Sequence, residues 1–219
     1  LYICNGSSKT AENMKIVSIL FLSLFFTCGI RAQELSEGLK KIKDICLSVR
    51  QGVTQKDKYT IMESIDELHS LRWTEFIRFK TIEPSEESSL KGHLQFTPAF
   101  LDSLLLYQFD FNLVPSDLHA MRRPGSMDFH YIHKALAPRA TGIYQIKGGG
   151  EMELLVVAEQ KGLIQVSIED NVNNLRLHDG SDTGKEACEL VWKMEKPAEF
   201  QIKIENKTDM PISFIIVSN

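Results

Sequence analysis

Potential metal ligands and bases crowd together at one place in the 219 residues: His130-Tyr131-Ile132-His133, with Asp128 just before and His119 upstream. On a helix, a His pair at i and i+3 shares one face, and Asp could complete a metal site. The spacing matches no zinc signature such as HExxH. Residues able to fix the imidazole tautomers (Asp117, Asp128) are few. We therefore expect a surface or loop pair without metal. Arg122-Arg123, ahead of Pro124-Gly125, offers guanidinium forks suited to carboxylate or phosphate, although this setting reads as a solvated turn. Arg122, Arg123, Asp128, His130 and His133 are accordingly the binding candidates. No catalytic residue, cofactor or metal is assigned.

Other constellations are weaker. Asp182-Thr183-Gly184 spells the aspartic-protease tripeptide, but Gly180-Ser181 and Lys185-Glu186 around it describe an exposed turn. Asp179 and Asp182 are too few carboxylates for the six to eight oxygen ligands of calcium. Trp192 shares parity with Leu190 and Met194 and is expected in a core, not as a sugar platform. Trp73 and Phe76 read as packing residues, and Glu63, Asp66 and Glu67 as the exposed side of a helix. There is no GxSxG elbow, P-loop or GxGxxG. A net charge of −4, without a long basic run, gives no electrostatic reason to expect nucleic acid.

The address is the clearest signal. Met14-Lys15 is a short positive start, Ile16 to Thr27 is a nearly unbroken apolar run, and Cys28-Gly29-Ile30-Arg31-Ala32 leads into polar Gln33-Glu34. This describes a secretory signal peptide over 14–32, cleaved after Ala32. The run would span about 18 Å, short of the roughly 30 Å hydrocarbon core. Bulky Phe25-Phe26-Thr27 makes a poor lipobox for Cys28. Residues 1–13 look like an upstream extension. Of the four cysteines only Cys46 and Cys188 follow Ala32; they could form a disulfide or remain two buried thiols.

The elements that must position any site come in two kinds. Leu35, Leu39, Ile42, Ile45 or Cys46, Val49 and Val53 make one helical stripe, bounded by Ser36 and Gln51-Gly52. A second helical stretch is expected over Tyr59 to Phe79, packed antiparallel on the first. Gly92 to Phe96 reads as extended, and Thr97-Pro98 as the start of a helix through Leu106. Residues 107–140, with Pro115, Pro124 and Pro138, are expected to be a linker or long loop. From Thr141 the period becomes two: Ile143 to Lys147, Met152 to Ala158, Ile164 to Glu169, Leu175 to His178, Leu190 to Met194, Phe200 to Glu205 and Ile212 to Ile216. Turn-forming Gly148-Gly149-Gly150, Lys161-Gly162, Asp179-Gly180-Ser181-Asp182 and Asn206-Lys207-Thr208-Asp209 separate them. The expectation is an α+β chain, with a helical domain over 33–106 and an antiparallel β-sandwich over 141–219.

Tyr144-Gln145-Ile146, Gly149-Gly150, Leu154-Leu155-Val156-Val157 and Gly162 to Asp170, continued by Phe200 to Asn206 and Pro211 to Phe214, resemble the jelly-roll sandwiches of bacterial pre-peptidase C-terminal domains. The whole chain also resembles exported proteins of Bacteroidota, partly through its Ala32-Gln33 junction. The resemblance implies a non-catalytic accessory module. The function expected is an exported, periplasmic or secreted binding protein whose partner is an envelope protein or polysaccharide, with no cofactor, no nucleic acid and no membrane span after cleavage. The alternative is a small secreted hydrolase using Asp128, His130 and His133.

Overall fold

The computed structural model describes residues 34–75, 80–83, 94–108, 128–170, 175–180 and 182–219. The signal segment 14–32, the upstream residues 1–13 and most of 107–127 lie outside them. Glu34–Asn219 forms one compact unit. Its elements are α1 (Glu37–Gln55), α2 (Lys58–His69), β1 (Arg72–Glu75), β2 (Lys80–Glu83), α3 (Pro98–Gln108), β3 (Asp128–Leu136), β4 (Thr141–Ala158), β5 (Ile164–Asp170), β6 (Leu175–Asp179), β7 (Ala187–Asn206) and β8 (Ile212–Ser218). The chain is α+β, and no described helix is long and apolar enough to cross a membrane.

Local sequence explains the helices. The Ser36 side chain caps α1 by accepting from the Leu39 N–H, and Lys56, in the left-handed region, ends the helix by donating to the Gly52 and Val53 carbonyls. Asp57 caps α2 through the Tyr59 and Thr60 N–H groups. Gly52 is not the boundary its type suggested. It is buried inside α1, where an added Cβ would stand 2.7 Å from Ile61 Cγ1, so the glycine is what lets α2 approach. The second helix stops at His69 instead of running to Phe79: Arg72-Trp73-Thr74-Glu75 pairs in parallel with the start of β3. Strand pairing there overrides the helical spacing, as it can wherever a partner strand is at hand. Pro98 opens α3 as expected, with the Leu101 N–H returning to the Thr97 carbonyl.

The eight strands form one sheet in the order β1-β3-β8-β4-β7-β5-β6, with β2 added alongside β4. All pairs but β1–β3 are antiparallel. The long strands β4 and β7 govern the architecture. Gly148-Gly149-Gly150 is no turn between strands: β4 runs through it, pairing with β7 from Thr141 to Val157 with one register shift between Gly148 and Gly150. Gly150, at φ +80°, supplies the conformation that this irregularity needs.

The halves of β4 and β7 on either side of the shift belong to two sheet portions that share one core. The first half of β4 and the second half of β7 pair with β2, β5 and contribute Tyr144, Ile146, Phe200, Ile202 and Ile204. The other halves, with β8 and β3, contribute Leu154, Val156, Leu190, Trp192, Phe214 and Ile216. Edge-on ring contacts join the two sets, Tyr144 to Phe214 at 6.3 Å and Trp192 to Phe200 at 5.6 Å. The result is a sandwich-like core.

The helices do not form a core of their own. Leu39, Ile42, Val49, Ile61, Ile65, Phe96 and Leu101 share a second cluster with Leu155, Val157, Ile215, Val217 and Phe129 of the strands. The expected linker is also interrupted, because Asp128–Leu136 is a strand whose His130–Leu136 stretch pairs along β8. An amphipathic helix pair must bury its stripe somewhere, and the two-sided apolar strand β8 offers the surface.

Candidate functional site

The densest buried chemistry lies where the helices meet the sheet. Four glutamates, Glu153 of β4, Glu159 just after it, Glu186 before β7 and Glu189 within β7, hold the helical layer. Glu153, almost fully buried, accepts from the Ser36 backbone N–H at 2.9 Å, at the start of α1. Glu189 pairs with Lys43 at 2.6 Å, and Glu186 with Arg50. Glu159, 0% exposed, accepts from the Phe96 N–H at 2.7 Å, one residue before the cap of α3. A helix start and the approach to another are therefore fixed by carboxylates, the group best suited to orphan N–H donors.

Glu159 also faces His133. Its Oε2 stands 2.7 Å from His133 Nε2, yet the two atoms meet off the axis of a hydrogen bond, and neither has another partner. Arg50 grips the backbone on either side of Glu159: Nη1 donates to the carbonyls of Ala158 and Gln160, and Nη2 goes to Glu186. The Glu159 N–H donates to the Ser213 carbonyl. Burial, and then the negative charge of Glu159, push the Cys46 thiol far up, with Arg50 opposing. Sequence reasoning missed Glu159, Glu153 and Arg50. One signal was present: Glu159 continues the parity of Leu155 and Val157, placing a carboxylate in phase with core positions.

The sequence-derived candidates are not gathered into one site. Asp128 opens β3, and His130 and His133 lie three residues apart in that strand, hence on opposite faces. A shared metal face requires a helix that is not there. Among the described residues no group of three or more potential ligands converges. Arg122, Arg123, His119 and Asp117 lie outside the described residues. Asp182 and Thr183 sit exposed in a turn, as expected. Trp192 is in the core, 4% exposed, with Nε1 lacking a partner.

The two cysteines are free and buried on opposite faces of the sheet, Cys46 among the helix-side residues and Cys188 in the sandwich core. Burial, followed by the charge of Asp179, pushes the Cys188 thiol up to about 12, and its Sγ donates to the Ile164 and Asp179 carbonyls. Both are thiols held away from reaction.

The outer face of the sheet portion that contains β5 and β6 is built differently. Across β4, β7 and β5 the outward rows read Gln145, Gln201, Glu169 and Ile143, Lys203, Ser167, with Arg176 and His178 of β6 extending them. Gln201, Lys203, Glu169, Arg176 and His178 are exposed. Gln145 donates to Glu199 at 2.9 Å, and Gln165 and His178 lie 3.0 Å apart. The face is polar, continuous and of mixed charge.

No family model matches the sequence, and no curated protein matches it. Similar solved structures include a de novo designed double-stranded β-helix, 18% identical, with a TM-score of 0.27 over 41% of this chain and 97% of that one. The Drosophila melanogaster CENP-C cumin domain is 14% identical, with a TM-score of 0.21 over 50% of this chain and 85% of that one. CapF with the inhibitor 3-isopropenyl-tropolone is also 14% identical, with a TM-score of 0.17 over 40% of this chain and 27% of that one.

Proposed function

We propose that the chain is an exported, non-catalytic binding protein of the cell envelope, a jelly-roll-like sandwich akin to pre-peptidase C-terminal modules of Bacteroidota proteins. The observation that carries this reading is the exposed polar face of Gln201, Lys203, Glu169, Arg176 and His178. Its amides, hydroxyls and mixed charges suit a polar partner, an envelope protein or a polysaccharide. The apolar run Ile16 to Thr27 supports the exported address and implies a mature N-terminus at Gln33. The experiment is cross-linking in the native envelope together with a glycan panel, using wild type and Gln201→Glu/Lys203→Glu. Loss of a wild-type partner in that variant supports the reading. Binding that survives it, or no partner in either assay, removes this face from the function.

The hydrolase alternative keeps one footing, the carboxylate beside His133. His130 and His133 on opposite faces of β3 count against their acting together. Stoichiometric metal in the purified protein, lost in His130→Ala/His133→Ala, would favour the alternative.

A further inference from the structure

We propose that the cleft between α1 and α2 is a separate binding site, one that takes a small hydroxylated ammonium compound of the amino-sugar class. The cleft measures about 490 Å³, within the range of small-molecule sites. The helix pair builds it. Lys41, Asp44, Ile45 and Ser48 follow one another at three- and four-residue steps along one side of α1, and Ser64 and Glu67 share a side of α2. Because α2 runs back along α1, with Glu67 2.7 Å from Lys41 and Ile61 against Gly52, Ser64 comes opposite Ile45 and Ser48. Ile45, 3% exposed, forms an apolar floor.

Ser64 is the deciding residue. It is 6% exposed, yet its hydroxyl makes no hydrogen bond to any described residue. Other helix hydroxyls behave differently: those of Thr54, Ser70 and Ser103 each donate to a carbonyl one turn back. Ser48, half-buried on the facing helix, also lacks a partner among the described residues. Two hydroxyls left unpaired by the protein thus line one cleft, and each can both donate and accept.

The charges narrow the ligand. Both ammonium groups of the cleft are already matched, Lys41 by Glu67 and Lys40 by Glu34 and Glu37. Asp44 is exposed and has no ion-pair partner among the described residues. What remains is one carboxylate and two hydroxyls around an apolar floor. An amino sugar meets all of these, with its ammonium on Asp44 through a charge-assisted hydrogen bond, its hydroxyls on Ser48 and Ser64, and a C–H face on Ile45. An anion would meet matched cations and a bare carboxylate, and a wholly apolar ligand would leave both hydroxyls unpaired. The site depends neither on the polar sheet face nor on export.

The test is a titration of the full chain with glucosamine, and separately with glucose, followed through the amide resonances of Asp44, Ser48 and Ser64. It is run at about pH 6.5, where such an amine is protonated. Glucosamine should shift these resonances saturably with a Kd of about 10 mM or tighter, and glucose, lacking the ammonium, should bind about tenfold more weakly. Asp44→Asn should bring the two sugars to the same affinity, and Ser64→Ala should weaken both about fivefold. Wild-type melting temperature and far-ultraviolet circular dichroism in each variant separate lost binding from failure to fold. Gln201→Glu/Lys203→Glu should bind glucosamine as wild type does, which keeps this site distinct from the sheet face. A β-linked glucosamine trimer tells the source: tighter binding than the monomer supports a sugar borne on a polysaccharide, and equal or weaker binding a free one. No saturable shift at these amides, equal affinity for the two sugars in wild type, or unchanged binding in either cleft variant would overturn the site.

Discussion

The two ends of β4 make opposite use of one strand. From Leu154 to Ala158 every residue is buried, because one face meets the sandwich core and the other meets the helices. From Thr141 to Lys147 burial alternates, with Tyr144 and Ile146 inward and Gln145 and Lys147 outward. β7 repeats the contrast: Phe200, Ile202 and Ile204 are buried between exposed Gln201 and Lys203, whereas Glu189 and Val191 are half covered. Covering a face changes what its residues must be. Beneath the helices the buried carboxylates Glu153 and Glu159 each hold a backbone N–H; on the open face, Gln145 pairs with Glu199, side chain to side chain.

If that contrast is sound, the largest effect belongs to the core both portions share. Phe214→Ala should cost about 3–5 kcal/mol in denaturant unfolding, as large-to-small changes do in well-packed cores. A midpoint that barely moves would mean the two portions do not depend on one core. The contrast between the faces is sharpened by a pair of variants on the same strand. Leu155→Ala, beneath the helices, should cost about 2–5 kcal/mol, and Gln145→Ala, on the open face, should stay within about 0.5 kcal/mol. Equal costs would dissolve the distinction.

A smaller effect should come from Asp179 at the end of β6. Burial works to raise its carboxyl, but Lys185 and the N–H groups of Glu189 and Gly180 outweigh it and hold the carboxyl below its usual range. A carboxylate lowered in the folded state stabilises above its unfolded value and loses that contribution as pH falls through the folded one. Wild type should therefore lose more melting temperature on acidification than Asp179→Asn does; parallel curves would show that the Asp179 contacts contribute nothing. The smallest effect is expected at Arg139–Asp209, 2.7 Å apart and fully exposed. Arg139→Ala should leave the unfolding midpoint unchanged at physiological salt, where such pairs are screened.

Periodicity alone placed Leu39, Ile42 and Val49 in one helix stripe, and put Trp192, Phe200 and Phe214 inward. These are local properties: a side chain's phase along a helix or strand is set by its neighbours in sequence. The same local logic marked Thr97-Pro98 as a helix start, because a cap requires only adjacent residues. It failed where the deciding partner is remote. Arg72–Glu75 is a strand because Asp128–Tyr131 lies beside it, and Gly148–Gly150 continues β4 because Ala198 and Met194 of β7 pair on either side. His130 and His133 look like a pair in sequence and are parted by the pleat, while His133 meets a carboxylate from just beyond the end of β4. Sequence by itself determined the apolar signal-like run, the composition of each stripe and the phase of each strand, since these depend on spacing alone. Only the tertiary structure decided that the helices cover one outer face of the sheet and that Glu159 is sealed beneath them, because burial is a property of what packs against a residue.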